Sequence, residues 1–171
     1  MARTARVFIE NACYHIVARG NQRETIFREE VDFGYYLKLL HKYKVKYGCL
    51  IYGYCLMRNH VHLLLEAPLG LKSMSSFMHG INQSYAMMFN NKYDKVGHLW
   101  QNRYKNFIVL KDSYFINLIS YIELNPVRAN IVIRPEEYPW SSYSSRLLGK
   151  RDIILDQLKF NVKYENIGNS K

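Results

Sequence analysis

Two histidines stand one residue apart in His60-Val61-His62. On an extended strand successive side chains alternate between faces, so both imidazoles leave from one face while Val61 enters the opposite layer. Two converging ring nitrogens can hold one divalent cation, although the same spacing also suits two histidines satisfied by hydrogen bonds near a turn. Zinc hydrolase sites built around such a pair need further ligands close by. Here Leu63, Leu64 and Leu65 follow, which argues against a closed zinc site.

A second group lies sixty residues on. Phe115, Leu118, Ile119 and Ile122 recur at spacings of three, one and three, the stripe of a helix that packs on a core. At about 100° per residue, Tyr114, Tyr121 and Asn125 gather a quarter-turn to one side of that stripe, placed to look into a site at the edge of a sheet. Tyr121 and Asn125 are also helical neighbours four apart, so a phenol and an amide project together. The first offers a nucleophile and the second a metal ligand. A tyrosine hydroxyl ordinarily titrates near ~10, so a nucleophilic tyrosine needs a metal's field or a base, and the sequence does not identify that base.

Charge points the same way. Twenty-four Lys and Arg against fourteen Asp and Glu leave a formal net charge of +10, which favours a polyanionic partner. Arg19, Arg58, Arg103, Lys105 and Arg128 flank the groups above and are candidate phosphate contacts. Fifteen tyrosines and eight phenylalanines could stack on unpaired bases, though most of them read as core. His98 could contact phosphate or cap the local turn, and the turn role is the favoured reading.

These side chains need a scaffold. Alternation over Ala12 to Arg19 predicts a strand, and apolar spacing over Glu29 to Tyr47 predicts a helix closed by Gly48. Leu50 to Met57 and His60 to Glu66 read as a hairpin across Arg58 and Asn59. A second helix spans about Leu71 to Asn91, with Met74, Phe77, Met78, Ile81, Tyr85, Met88 and Phe89 on its stripe. A strand over Arg103 to Leu110 and a helix from Ser113 toward Asn125, stopped by Pro126, complete the order. The class is α+β: a ferredoxin-like βαββαβ antiparallel sheet with an additional C-terminal catalytic helix, two helices on one face and the other face available. At 171 residues and 49% hydrophobic, one domain over residues 1–158 is expected, then a polar tail at 159–171 that is expected to lack structure.

Cys13, Cys49 and Cys55 are odd in number and form no C-x-x-C pair, so they read as reduced packing residues. No secretory h-region or membrane-length apolar run is visible, and a cytoplasmic protein is expected.

Tyr54-Cys-Leu-Met-Arg-Asn-His60-Val-His62-Leu-Leu-Leu resembles the histidine-hydrophobe-histidine signature of the Y1 (HUH) transposases, the IS200-like and REP-associated tyrosine transposases. Gly97-His-Leu-Trp-Gln-Asn-Arg103-Tyr104, Tyr121-Ile-Glu-Leu-Asn125-Pro-Val-Arg128-Ala and Trp140-Ser-Ser resemble the family's later motifs in the same order. The resemblance runs from about Tyr14 to Ser142. One departure is Arg58 where the family usually has proline, which is expected to loosen the turn beside His60.

The resemblance implies that His60, His62 and Asn125 hold Mg²⁺ or Mn²⁺, and that Tyr121 attacks a phosphate of single-stranded DNA carrying hairpin or palindromic elements. It implies strand transfer through a 5′-phosphotyrosine, by a monomer or a homodimer, with the C-terminal extension favouring the monomer. The alternative from the same fold order is a non-catalytic or domesticated hairpin-binding protein of RRM-like fold, and a nuclease that activates water without a covalent adduct is a further rival. No RNP1-like string is present to support an RRM.

Overall fold

The computed structural model describes Ile9, residues 12–109 and residues 113–158. Four strands, β1 (Cys13–Arg19), β2 (Leu50–Met57), β3 (His60–Glu66) and β4 (Lys105–Val109), form one antiparallel sheet in the order β2-β3-β1-β4. With α1 (Glu30–Tyr47) after β1 and α2 (Leu71–Lys92) after β3, the chain follows the expected βαββαβ path. Helix α3 (Ser113–Glu123), a single turn α4 (Asn125–Arg128) and a short α5 (Tyr143–Leu147) come after it. The expected tail at 159–171 and the end of the expected last strand, Leu110, lie outside the described residues.

The hairpin has the bounds that its apolar runs predict, and α1 ends on Gly48 in the left-handed region at φ 62°. At the N-terminus of α1, Asp32 accepts from the backbone N–H groups of Arg28 and Glu29 and pairs with Lys92 of α2 at 2.7 Å, tying the two helices together. Along one sheet face Tyr14, Ile16, Leu63, Leu65 and Ile51 meet Phe33, Tyr36 and Leu40 of α1 and Phe77, Ile81 and Tyr85 of α2 in the main core.

The second face is not left available. Phe115, Leu118, Ile119 and Ile122 of α3 pack on Cys13, Tyr52, Cys55, Met57, Leu64 and Val109, making a second core that Tyr138 extends. Each of these buried α3 side chains contributes about 1.5–3 kcal/mol to holding the helix there. The physical reason is legible in β2, whose residues from Ile51 to Met57 are all buried: a strand apolar on both sides needs two covering layers. A buried ion pair completes the attachment, with Glu123 at the end of α3 accepting from Arg146 Nε at 2.9 Å and from Ser142 Oγ at 2.6 Å. Pro126 does not end helical structure; it sits inside α4, separated from α3 only by Leu124. All three cysteines are buried and free. Among the described residues no helix is long and apolar enough to cross a membrane.

Candidate active site

The hairpin turn that presents His60 is held from outside. The Arg58 carbonyl accepts from the N–H groups of Ile26 and Phe27 at 2.8 and 3.1 Å, and the Asn59 carbonyl accepts from Gly20 at 2.9 Å. Gly20 is required there: a Cβ on it would stand 2.6 Å from the Glu24 carbonyl oxygen and 2.7 Å from a methyl of Ile26. The carbonyls of Arg58 and Asn59 thus tie the turn to the loop after β1. The Arg58 side chain is exposed.

From this turn His60 and His62 rise on the second face, opposite Arg19 and Val17 of β1. Asn59 donates through Nδ2 to the Arg23 carbonyl at 3.3 Å, which fixes its amide so that Oδ1 faces His60 Nδ1 at 2.5 Å. A carbonyl oxygen only accepts, so His60 carries its proton on Nδ1 and keeps a lone pair on Nε2. Nδ1 of His62 lies 2.9 Å from Nε2 of a third histidine, His15 on β1, and the two rings stack at 5.2 Å. Among the described residues no hydrogen bond engages Nε2 of His60 or of His62. Burial pushes His15 down to about 4. Burial and then the Arg19 guanidinium hold His60 at about 4. Burial, followed by His60, His15 and Arg19, takes His62 to about 3. All three rings are neutral at physiological pH, the form in which imidazole ligates a cation.

Helix α3 lies across the same face and brings Tyr121 over these rings, 6.2 Å from His62 and 6.4 Å from His15 between centroids. The site thus stands over the two central strands, not at the sheet edge that the helix geometry suggested. The Arg128 guanidinium sits 4.8 Å above the Tyr121 ring, worth about 0.5–1 kcal/mol at an open position. Asn125 turns its Nδ2 back to the Tyr121 carbonyl at 2.8 Å, which leaves Oδ1 directed away from that bond. Tyr114 is 60% exposed against 39% for Tyr121, and Tyr121 makes ring contact with His15 and His62.

The charge placement is mixed. Arg19 acts on both metal-candidate histidines, and Lys105 is exposed on β4 opposite Val17. Arg103 instead lines a cleft of about 730 Å³ between α2 and residues 97–104, together with His98. Among the described residues no three His, Cys, Asp or Glu side chains group as a metal site. His15 does not make the third, since its facing nitrogen is engaged with His62. A cation here would take two imidazoles and draw the rest of its shell from amide, phosphate and water oxygens, which suits Mg²⁺ or Mn²⁺ better than zinc. His15 is the residue that sequence reasoning missed; the signal was its place between Cys13 and Val17 on the strand face that β1 turns toward β3's histidines.

Comparison with known proteins places the chain in a family and matches its fold. Residues 8–125 match the family model for IS200-like transposases. The fold superposes on a REP-associated tyrosine transposase, solved bound to a REP hairpin, with a TM-score of 0.70 at 18% identity over 95% of each chain. A protein of Deinococcus radiodurans R1, provisionally assigned as a transposase, gives a TM-score of 0.48 at 19% identity over 71% of this chain and 96% of its own. No curated protein matches the sequence.

Proposed function

Because the chain belongs to the IS200-like transposase family, we propose that it is a metal-dependent single-stranded DNA endonuclease and strand transferase that works through a phosphotyrosine on Tyr121. The observation that carries this reading is the approach of the Tyr121 ring to His62, 6.2 Å between centroids, beside two histidines whose Nε2 atoms no hydrogen bond engages among the described residues.

His60 and His62 would hold Mg²⁺ or Mn²⁺, with Asn125 Oδ1 as a third ligand. When bound, the cation supplies charge neutralisation at the phosphate and the departing oxygen. The protein does the rest by placement. Docking of α3 holds the Tyr121 ring beside His62 and His15, and Arg128 lies over that ring. Tyr121 loses its proton and forms a bond from Oη to phosphorus, while the bond from phosphorus to the DNA O3′ breaks and that oxygen takes up a proton. The 5′ phosphate stays on the protein, and attack by another 3′ hydroxyl reverses the step and joins strands. Arg19, Arg58, Lys105 and Arg128 are available for phosphates beside the site, and Arg103 for a segment entering the cleft at residues 97–104.

Hairpin-bearing DNA is the partner proposed, supported by the hairpin bound to the structurally similar REP-associated enzyme and by the +10 charge. Tyrosine and histidines from one chain support a site complete in a monomer. An RRM-like stacking surface is less compatible with a second face on which α3 is packed. The test uses a labelled hairpin with a single-stranded flank in Mg²⁺ or Mn²⁺. Wild type should cut it, whereas His60→Ala and His62→Ala should bind it, lose cleavage and bind Mn²⁺ weakly. Unchanged Mn²⁺ affinity and cleavage in both variants would remove the metal assignment; hairpin binding by wild type with no cleavage under any divalent cation would favour the non-catalytic binder.

A further inference from the structure

His15 Nε2 and His62 Nδ1 face each other across β1 and β3 at 2.9 Å, which leaves room for only one hydrogen between them. Either His15 Nε2–H donates to His62 Nδ1, or His62 Nδ1–H donates to His15 Nε2. In the first arrangement a neutral His62 carries its own proton on Nε2 and cannot present a lone pair there. In the second, Nε2 of His62 is open, as Nε2 of His60 is. Histidines that ligate metals generally donate their other ring N–H to an outer acceptor, which fixes both tautomer and ring orientation. His60 has such an acceptor in Asn59 Oδ1 at 2.5 Å. For His62 the group in that place is His15 Nε2 at 2.9 Å.

We propose that His15 is a positioning residue: by accepting the Nδ1 proton of His62 it fixes the tautomer and plane in which His62 offers Nε2 to the cation. This rests on the cation reading above. The geometry suits the task. His15 occupies the middle of β1, paired with Leu64 of β3 and Phe107 of β4, so backbone on both sides fixes its Cα. Its ring packs against His62 with only 20° between planes and against Phe107 at 6.0 Å, restricting rotation. A neutral acceptor also leaves the cation's full charge for phosphate, which a carboxylate in the same place would partly cancel.

The direct measurement is the imidazole ¹⁵N–¹H correlation spectrum of the metal-free wild-type protein at neutral pH, with His62 assigned by substitution. The proton should sit on Nδ1 of His62, and Nε2 should show the shift of an unprotonated nitrogen. His15→Leu, which keeps bulk but offers no acceptor, should scramble that tautomer and weaken Mn²⁺ binding by about 10–100-fold. His15→Gln places an amide oxygen near the former Nε2 and should restore affinity close to wild type. A His62 proton on Nε2 in wild type overturns the proposal without any variant, so a His15→Leu protein that fails to fold does not shield it. Wild-type Mn²⁺ affinity in folded His15→Leu, with binding lost in His60→Ala, overturns the role of His15 alone. Wild-type affinity in His60→Ala as well would sink the cation reading and this inference with it.

Discussion

Glu123 and Arg146 offer a perturbation whose size follows from their burial. Their side chains are 3% and 8% exposed, the pair is 2.9 Å apart, and Glu123 also accepts from Ser142 while Arg146 donates to the Tyr52 carbonyl. Removing either partner leaves the other charge in an apolar setting between α3 and β2, at a cost of about 3–5 kcal/mol. Glu123→Ala and Arg146→Leu should therefore each destabilise strongly. The double variant should cost less than their sum by a coupling energy of about 2–3 kcal/mol in a double-mutant cycle measured by urea unfolding. Because Glu123 ends the helix that carries Tyr121 two residues earlier, formation of a tyrosine adduct should fall more than hairpin affinity in whichever variants remain folded. Single variants that each cost under about 1 kcal/mol, or effects additive to within about 0.5 kcal/mol, would refute the claim that this pair fastens α3 to the sheet.

Two further outcomes follow. In EDTA the fold should weaken as pH falls from about 6.5 to about 4. The unfolded chain protonates its histidines near 6.5, whereas His15 and His60 wait until about 4 and His62 until about 3, so the unfolded state binds more protons in that window. One such ring removes about 2–3 kcal/mol by pH 4.5, and a urea midpoint constant from pH 7.5 to 4.5 would contradict this. Affinity for hairpin DNA should fall as salt rises, with a log–log slope reporting the phosphates neutralised by the cationic surface; a flat response between low and physiological salt would count against phosphate contacts as the basis of binding.

The parts of the fold most legible in the sequence are those with local signals. The hairpin from Leu50 to Glu66 announces itself through two apolar runs around a two-residue turn, and the stripe Phe115, Leu118, Ile119, Ile122 is buried as its periodicity implies. The destination of that stripe is a different kind of fact. Which sheet face α3 covers depends on cross-chain packing, and the only local hint was that β2 is apolar on both sides. The same distinction applies at the site. His60, His62 and Tyr121 are marked by spacing and motif, whereas His15 enters through a contact 47 residues distant in sequence that depends on the β1–β3 register. The turn at Arg58 and Asn59 is similar: the three backbone hydrogen bonds it takes from Gly20, Ile26 and Phe27 come from the loop after β1 and leave no local signal.

The central claim is that Tyr121 is the nucleophile, and the most direct measurement is to map the residue joined to DNA. Wild type and Tyr121→Phe would be incubated with a labelled hairpin and Mg²⁺, denatured, and the DNA-linked peptide identified by mass spectrometry. The substitution removes one oxygen from a ring that is 39% exposed, so fold and hairpin binding should persist. The account predicts a denaturation-resistant adduct on the peptide containing Tyr121 in wild type and none in the variant. An adduct on Tyr114, or one that survives in Tyr121→Phe, would contradict it, and cleavage by the variant without any adduct would show that water, and not tyrosine, attacks the phosphate.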